Sequence, residues 1–126
     1  ALMANISAFI MAILKDLNWA GFYLVGEDDL VLGPFQGLPA CTRLAFDKGV
    51  VAKSYRLDEI IKVDNVHDFD DHIACDSSSM SELVVPIKSK GHIVCLIDLD
   101  SPIENRFTDI DVEGFKKIAE LMNNRI

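Results

Sequence analysis

The chain reads as an α+β domain built on a central antiparallel sheet. Three observations predict it. Apolar residues recur at helical spacing at both ends, runs with two-residue alternation fill the middle, and the strands follow one another across turns rather than helical crossovers. At 126 residues, half of them apolar and a quarter charged, residues 1–126 form one domain with enough material for a single core.

The elements follow in order. Ala1–Leu14 carries no charge, and its Leu2, Ile6, Phe9, Ile10 and Ile13 fall at helical spacing. It is shorter than the roughly 20 residues that span a bilayer and lacks the basic flank of a signal peptide, so a helix packed on a sheet is expected. Because the chain opens on Ala1, a further segment upstream is expected too. Trp19–Val25 is a strand with Trp19, Gly21 and Tyr23 on one face and Ala20, Phe22 and Leu24 on the other. Gly26-Glu27-Asp28-Asp29 is a turn, and Leu30–Gly37 returns as the second arm of a hairpin.

Gly33, Pro34, Gly37 and Pro39 then make the approach to Cys41 irregular. Cys41–Phe46 reads as a short strand, Gly49–Leu57 as a short helix and Ile60–Val63 as a strand. The polar stretch Asp64–Ser81 exceeds ordinary loop length, which marks either function or disorder. Leu83–Ile87 is a strand, Lys88–Gly91 a turn and His92–Asp100 a long central strand. Thr108 caps a last amphipathic helix that presents Ile110, Phe115, Ile118, Ala119 and Met122.

Charge and cysteine usage narrow the chemistry. A formal charge of −8, with no cluster of Lys and Arg, argues against nucleic acid or an anionic membrane as the main partner. Small molecules or proteins remain. Three cysteines without CxxC spacing form neither a secreted disulfide framework nor a structural zinc site, so reduced cytoplasmic thiols are expected.

The segment from His72 to Glu82 is the most informative. It sets Cys75 in a Ser-rich, turn-prone loop and a carboxylate at the start of the next apolar run. A cysteine attacks through its thiolate, which backbone N–H groups of such a turn, or His72, can favour. A passive loop cysteine remains the alternative. Asp98 and Asp100 share one face of their strand, about 7 Å apart along it, and together with Glu82 could grip an ammonium group or hold one proton and donate it. A solvated strand end is the plainer reading of that pair. Cys95 has the opposite parity, beside Ile97 and Leu99, and reads as a core thiol. Trp19 and Tyr23 share a face and could box an apolar sulfur group or simply be core. His67 and His72 lack metal-pair spacing and are expected to be solvated or to cap.

Taken together these residues resemble the free methionine-(R)-sulfoxide reductases, a catalytic branch of GAF domains. The resemblance runs from Asn18 to about Phe107 through Asn18-Trp19-Ala20-Gly21-Phe22-Tyr23, Leu32-Gly33-Pro34-Phe35-Gln36-Gly37, Pro39-Ala40-Cys41-Thr42-Arg43, His72-Ile73-Ala74-Cys75-Asp76, Ser81-Glu82 and Asp98-Leu99-Asp100-Ser101-Pro102. It implies a GAF-like sheet with helices packed on one side and pocket-forming loops on the other. It further implies that Cys75 attacks the sulfur of free L-methionine (R)-sulfoxide and becomes a sulfenic acid, and that Cys41 resolves this to a disulfide. Thioredoxin, with its reductase and NADPH, would restore the thiols, with no bound cofactor. Glu82, Asp98 and Asp100 match the acidic pocket residues, their division of labour left open, and Trp19 and Tyr23 match the aromatic wall. A homodimer is implied as well.

Two positions depart from the family pattern. Val51 stands where a third cysteine is usual, so resolution should fall on Cys41 alone, and Leu38 stands where a lysine is common. The rival readings are a non-catalytic GAF domain that senses a small ligand, which needs neither thiol, and a cysteine hydrolase, for which His72 is the one nearby base.

Overall fold

The computed structural model describes residues 1–70 and 78–126. Among them lie helices α1 (Leu2–Ile13), α2 (Val50–Leu57) and α3 (Asp109–Met122). The strands are β1 (Trp19–Val25), β2 (Leu30–Gly37), β3 (Arg43–Leu44), β4 (Ile61–Val63), β5 (Ser81–Ser89) and β6 (His92–Ser101). They form one antiparallel sheet in the order β3-β2-β1-β6-β5-β4. Two hairpins, β1–β2 and β5–β6, are therefore joined down the middle by the β1–β6 pairing.

Turn chemistry sets both hairpins. Gly26 N–H donates to Asp29 O (2.9 Å) to close the first. The second turns on Lys90 and Gly91 alone, both at positive φ (53° and 81°), the backbone that a tight two-residue hairpin demands. The strands flanking it are thus longer than their apolar runs predicted. Pro86 falls past the end of β4, where β5 is an edge strand and a missing N–H breaks no ladder.

The two-residue period divides the core. Ala20, Phe22, Leu83, Val85, Ile87, Cys95, Ile97 and Leu99 are buried on one face, against Ile10 of α1 and Phe115 and Met122 of α3. Trp19, Tyr23, Leu30, Leu44, Val84 and Leu96 occupy the other, with Val50, Val51 and Ala52 of α2. Two helices thus pack on the face expected to carry helices. The third, α2, lies on the loop-bearing face, where its Val50, Val51, Ala52 and Ser54 are buried.

Helix geometry corrects several of the core expectations. Thr108 caps α3 in a capping box with Asp111, as read from the sequence. Ile110, however, is 84 % exposed: at about 100° per residue, five positions before Phe115 puts it on the far side of the helix. In α1 the buried arc centres on Ser7 and Ile10. Ile6 packs beside it, while Leu2, Phe9 and Ile13 sit on the exposed flank. Cys41–Phe46 pairs as a strand only over Arg43–Leu44.

Candidate active site

The β1, β5 and β6 registers bring the polar residues of the second face together. Asp100 pairs with Trp19 on one side and Glu82 on the other, and Asp98 pairs with Gly21. One carboxylate oxygen from each of Glu82, Asp98 and Asp100 lies within 4.8 Å of the others. Glu82 and Asp98 are only 7 % and 6 % exposed, so this is no solvated strand end. The trio is the one group of acids among the described residues that could bracket a cation.

Burial governs their protonation. Loss of water, then the charges of Asp98 and Asp100, push the Glu82 carboxyl well above the usual carboxylate range, and it hydrogen-bonds Asp98. Burial also raises Asp98, to about 6, while the bond from Glu82 opposes the rise. At neutral pH Glu82 accordingly holds a proton that it donates to ionised Asp98. Apart from the bond with Glu82, buried Asp98 Oδ1 has no hydrogen-bond partner among the described residues, which suits it to accept from a ligand's donor. The trio therefore offers negative charge and one proton side by side.

An aromatic wall stands beside it. The Trp19 ring stacks on Tyr23 (centroids 6.1 Å apart) and on Phe35 (5.2 Å). Trp19 Nε1 donates to Leu38 O (3.1 Å) and the Tyr23 hydroxyl donates to Cys41 O (2.9 Å). Burial, followed by the charges of Asp98, Asp100 and Glu82, raises the Tyr23 pKa, so the phenol stays protonated and keeps donating. That bond ties the Cys41 backbone to the wall. The Leu38 side chain is largely exposed, and the wall uses only its carbonyl, so the identity of residue 38 matters little here.

Of the residues singled out in the sequence, the fold brings Glu82, Asp98, Asp100, Trp19, Tyr23 and Cys41 to one face. Val51, in place of a third thiol, is buried in the same apolar cluster. Cys95 is a free thiol buried in the opposite core, with its pKa pushed up to about 11 by burial. His67 is exposed in a single 3-10 turn, Val66–Asp68, capped by Asn65 Oδ1. The expectations for Cys75 and His72 lie outside the described residues.

Three residues went unrecognised as parts of the site. Phe35 extends the wall, and its parity in β2 was the available signal. At Gly21 a Cβ would lie 2.3 Å from Phe35 Cβ and 2.7 Å from the Trp19 ring, so only glycine lets the wall form. Asn18, whose amide reaches Ser78 and Ser79, was visible only as part of a motif.

Comparison with known proteins agrees with this geometry. The GAF domain family model matches residues 5–126. The chain is 46 % identical over 125 residues to protein YtsP of Bacillus subtilis, covering 98 % of this chain and 77 % of that one. It is 45 % identical over 119 residues to the free methionine-R-sulfoxide reductase of Escherichia coli, covering 94 % and 72 %. The solved structure of fRMsr of Staphylococcus aureus in complex with its substrate superposes with a TM-score of 0.91 at 40 % identity, covering 96 % of this chain and 79 % of that one.

Proposed function

Since the chain belongs to the GAF domain family, and within it to the free methionine-R-sulfoxide reductases, we propose that it reduces free L-methionine (R)-sulfoxide to L-methionine. The observation that carries this reading is the carboxylate trio, two of its members buried, beside the Trp19–Tyr23–Phe35 wall. Free methionine sulfoxide has a matching pair of features, an ammonium group at one end and a methyl-sulfur group at the other. Sulfur against aromatic rings is favourable, and a closed site demanding an ammonium would reject methionine sulfoxide inside a polypeptide.

In the proposed cycle the Cys75 thiolate attacks the sulfoxide sulfur. The sulfoxide oxygen takes up a proton, for which Glu82, the protonated member of the trio, is the source, and passes to Cys75 as a sulfenic acid. Methionine leaves, its sulfur reduced by the two electrons the thiol has lost. The Cys41 thiolate then attacks the Cys75 sulfur, expels water and forms the Cys41–Cys75 disulfide. A dithiol of the thioredoxin type restores both thiols by exchange, with NADPH as the final electron source. With Val51 apolar and Cys95 on the other face, Cys41 is the resolving thiol. Such a cycle suits the reducing cytoplasm, and no helix among the described residues is long and apolar enough to cross a membrane. The exposed flank of α1, with Leu2, Phe9 and Ile13, favours a homodimer.

The deciding experiment follows NADPH consumption with thioredoxin and its reductase, beside a parallel assay reduced by dithiothreitol. Turnover of free methionine (R)-sulfoxide but not the (S) epimer is expected. Equal turnover of both epimers, or none with either reductant, overturns the reading. Peptide mapping after one turnover without reductant should recover Cys41 joined to Cys75, and a link to Cys95 would refute the assignment of the resolving thiol.

A further inference from the structure

We propose that Asn18 is a positioning residue for the reaction, fixing Ser78 and Ser79, which follow Cys75 in the sequence, against the strand end that carries Asp100. The proposal rests on the reading of Cys75 as the nucleophile. Asn18 Nδ2 donates to Ser78 Oγ and to Ser79 Oγ, both at 3.1 Å. Its own backbone N–H donates to Asp100 O (3.0 Å), so one residue holds the loop with its side chain and β6 with its main chain.

Neighbouring bonds make this a three-segment clasp. Met80 N–H donates to Ser101 O (2.7 Å), Ser101 Oγ to Asp16 O (2.6 Å) and Ser81 Oγ to Ile103 O (2.6 Å). Ser79 and Ser101 are buried, where a hydroxyl without a partner costs about 1–3 kcal/mol, so these bonds are held rather than exchanged with water. Cys75 precedes Ser78 by only three residues in the sequence, so the anchor is close to the nucleophile along the chain. Attack on sulfur needs alignment to within about an ångström, and a fixed anchor this near in sequence narrows what the nucleophile can sample.

The main-chain bonds of the clasp survive substitution of the Asn18 side chain. The variant Asn18→Ala should therefore lower kcat about 10-fold and leave KM within about 2-fold, since the trio and wall are untouched. The alkylation rate of reduced Cys75 by iodoacetamide, read by mass spectrometry, should change several-fold in the same variant. Asn18→Asp should recover most of the loss, because its carboxylate accepts from the two hydroxyls to which the amide donated. If Asn18 acts through the serines, Asn18→Ala adds little further loss in a Ser78→Ala/Ser79→Ala background, and that double variant reproduces the defect by itself.

Unchanged kcat and alkylation in Asn18→Ala overturn the proposal. So does an equal loss from Asn18→Ala with and without the two serines. If Asn18→Ala does not fold, the serine double variant supplies the same comparison from the loop side. Alkylation needs no sulfoxide. A protein that reduces no sulfoxide but shows the alkylation change defeats the assigned reaction and leaves the positioning role standing.

Discussion

The two faces of the sheet are made by the same strands and differ in every respect that matters. Along β6, Cys95, Ile97 and Leu99 enter an apolar core under α1 and α3, while the intervening Leu96, Asp98 and Asp100 face the aromatic wall. β1 alternates likewise, with Ala20 and Phe22 inward against Trp19, Gly21 and Tyr23. One face gains stability from burying hydrocarbon. The other buries two carboxyls, which opposes folding and has value only through what the site can bind. The stable face holds the unstable one in register, since a one-residue slip would exchange them.

Three substitutions probe that contrast, in decreasing order of expected effect. Phe22→Ala, on the apolar face, should lower stability by about 3–5 kcal/mol in urea unfolding, with turnover per folded molecule little changed. A comparable loss of turnover in the folded fraction would show the faces to be less separate than the parity implies. Asp98→Asn, on the other face, should do the reverse. It should reduce kcat/KM about 100-fold, worth some 2.7 kcal/mol of transition-state binding, without lowering stability at pH 7.

The same variant carries a pH signature. Asp98 ionises near 6 in the folded protein against 3.8 for an unperturbed aspartate. Between these values the folded state binds the extra proton, so this group's contribution to stability falls as pH rises from about 4 to about 6. Glu82, raised for the same reason, acts in the same direction. Melting temperatures of wild type and Asp98→Asn, compared from pH 4 to pH 7, should converge at the acid end and separate in favour of the variant above pH 6. The smallest effect belongs to Cys95→Ala, about 1–2 kcal/mol of stability with kcat unchanged. Loss of turnover there would mean that the third thiol takes part after all.

Much of this contrast is legible in the sequence because it rests on periodicity. The assignment of Trp19 and Tyr23 to one face, Phe22 to the other, and Asp98 and Asp100 opposite Cys95 needs only the alternation of a strand. What alternation cannot supply is registry between strands. That Glu82 lies opposite Asp100, and that the Glu82 and Asp98 carboxyls are buried, depends on which strands pair and how deep they sit. Helix faces were harder to read for a related reason. Phe9 sits in an apolar helix and Ile110 at the start of an amphipathic one, but the side a helix turns to the sheet is decided by its neighbours. The placement of α2 on the pocket face likewise has no local signal, since a short helix with one buried stripe fits either side. Asn18 escaped notice because its partners lie 60 and 61 residues further along the chain.

The bare backbone of Gly21 has a consequence for how this protein can vary over generations. Its missing side chain leaves the space that Phe35 and the edge of the Trp19 ring fill. A single methyl group at position 21 would need both to move, and Trp19 is tethered through its indole nitrogen to Leu38 O. Positions 21 and 35 are thereby locked as a pair across the β1–β2 register. Because the obstruction is the Phe35 Cβ and Cα rather than its ring, any residue but glycine at 35 would keep it, and Trp19 would still have to shift. A lineage could therefore enlarge residue 21 only after change at both partners, so the order of mutational steps is constrained as well as their outcome.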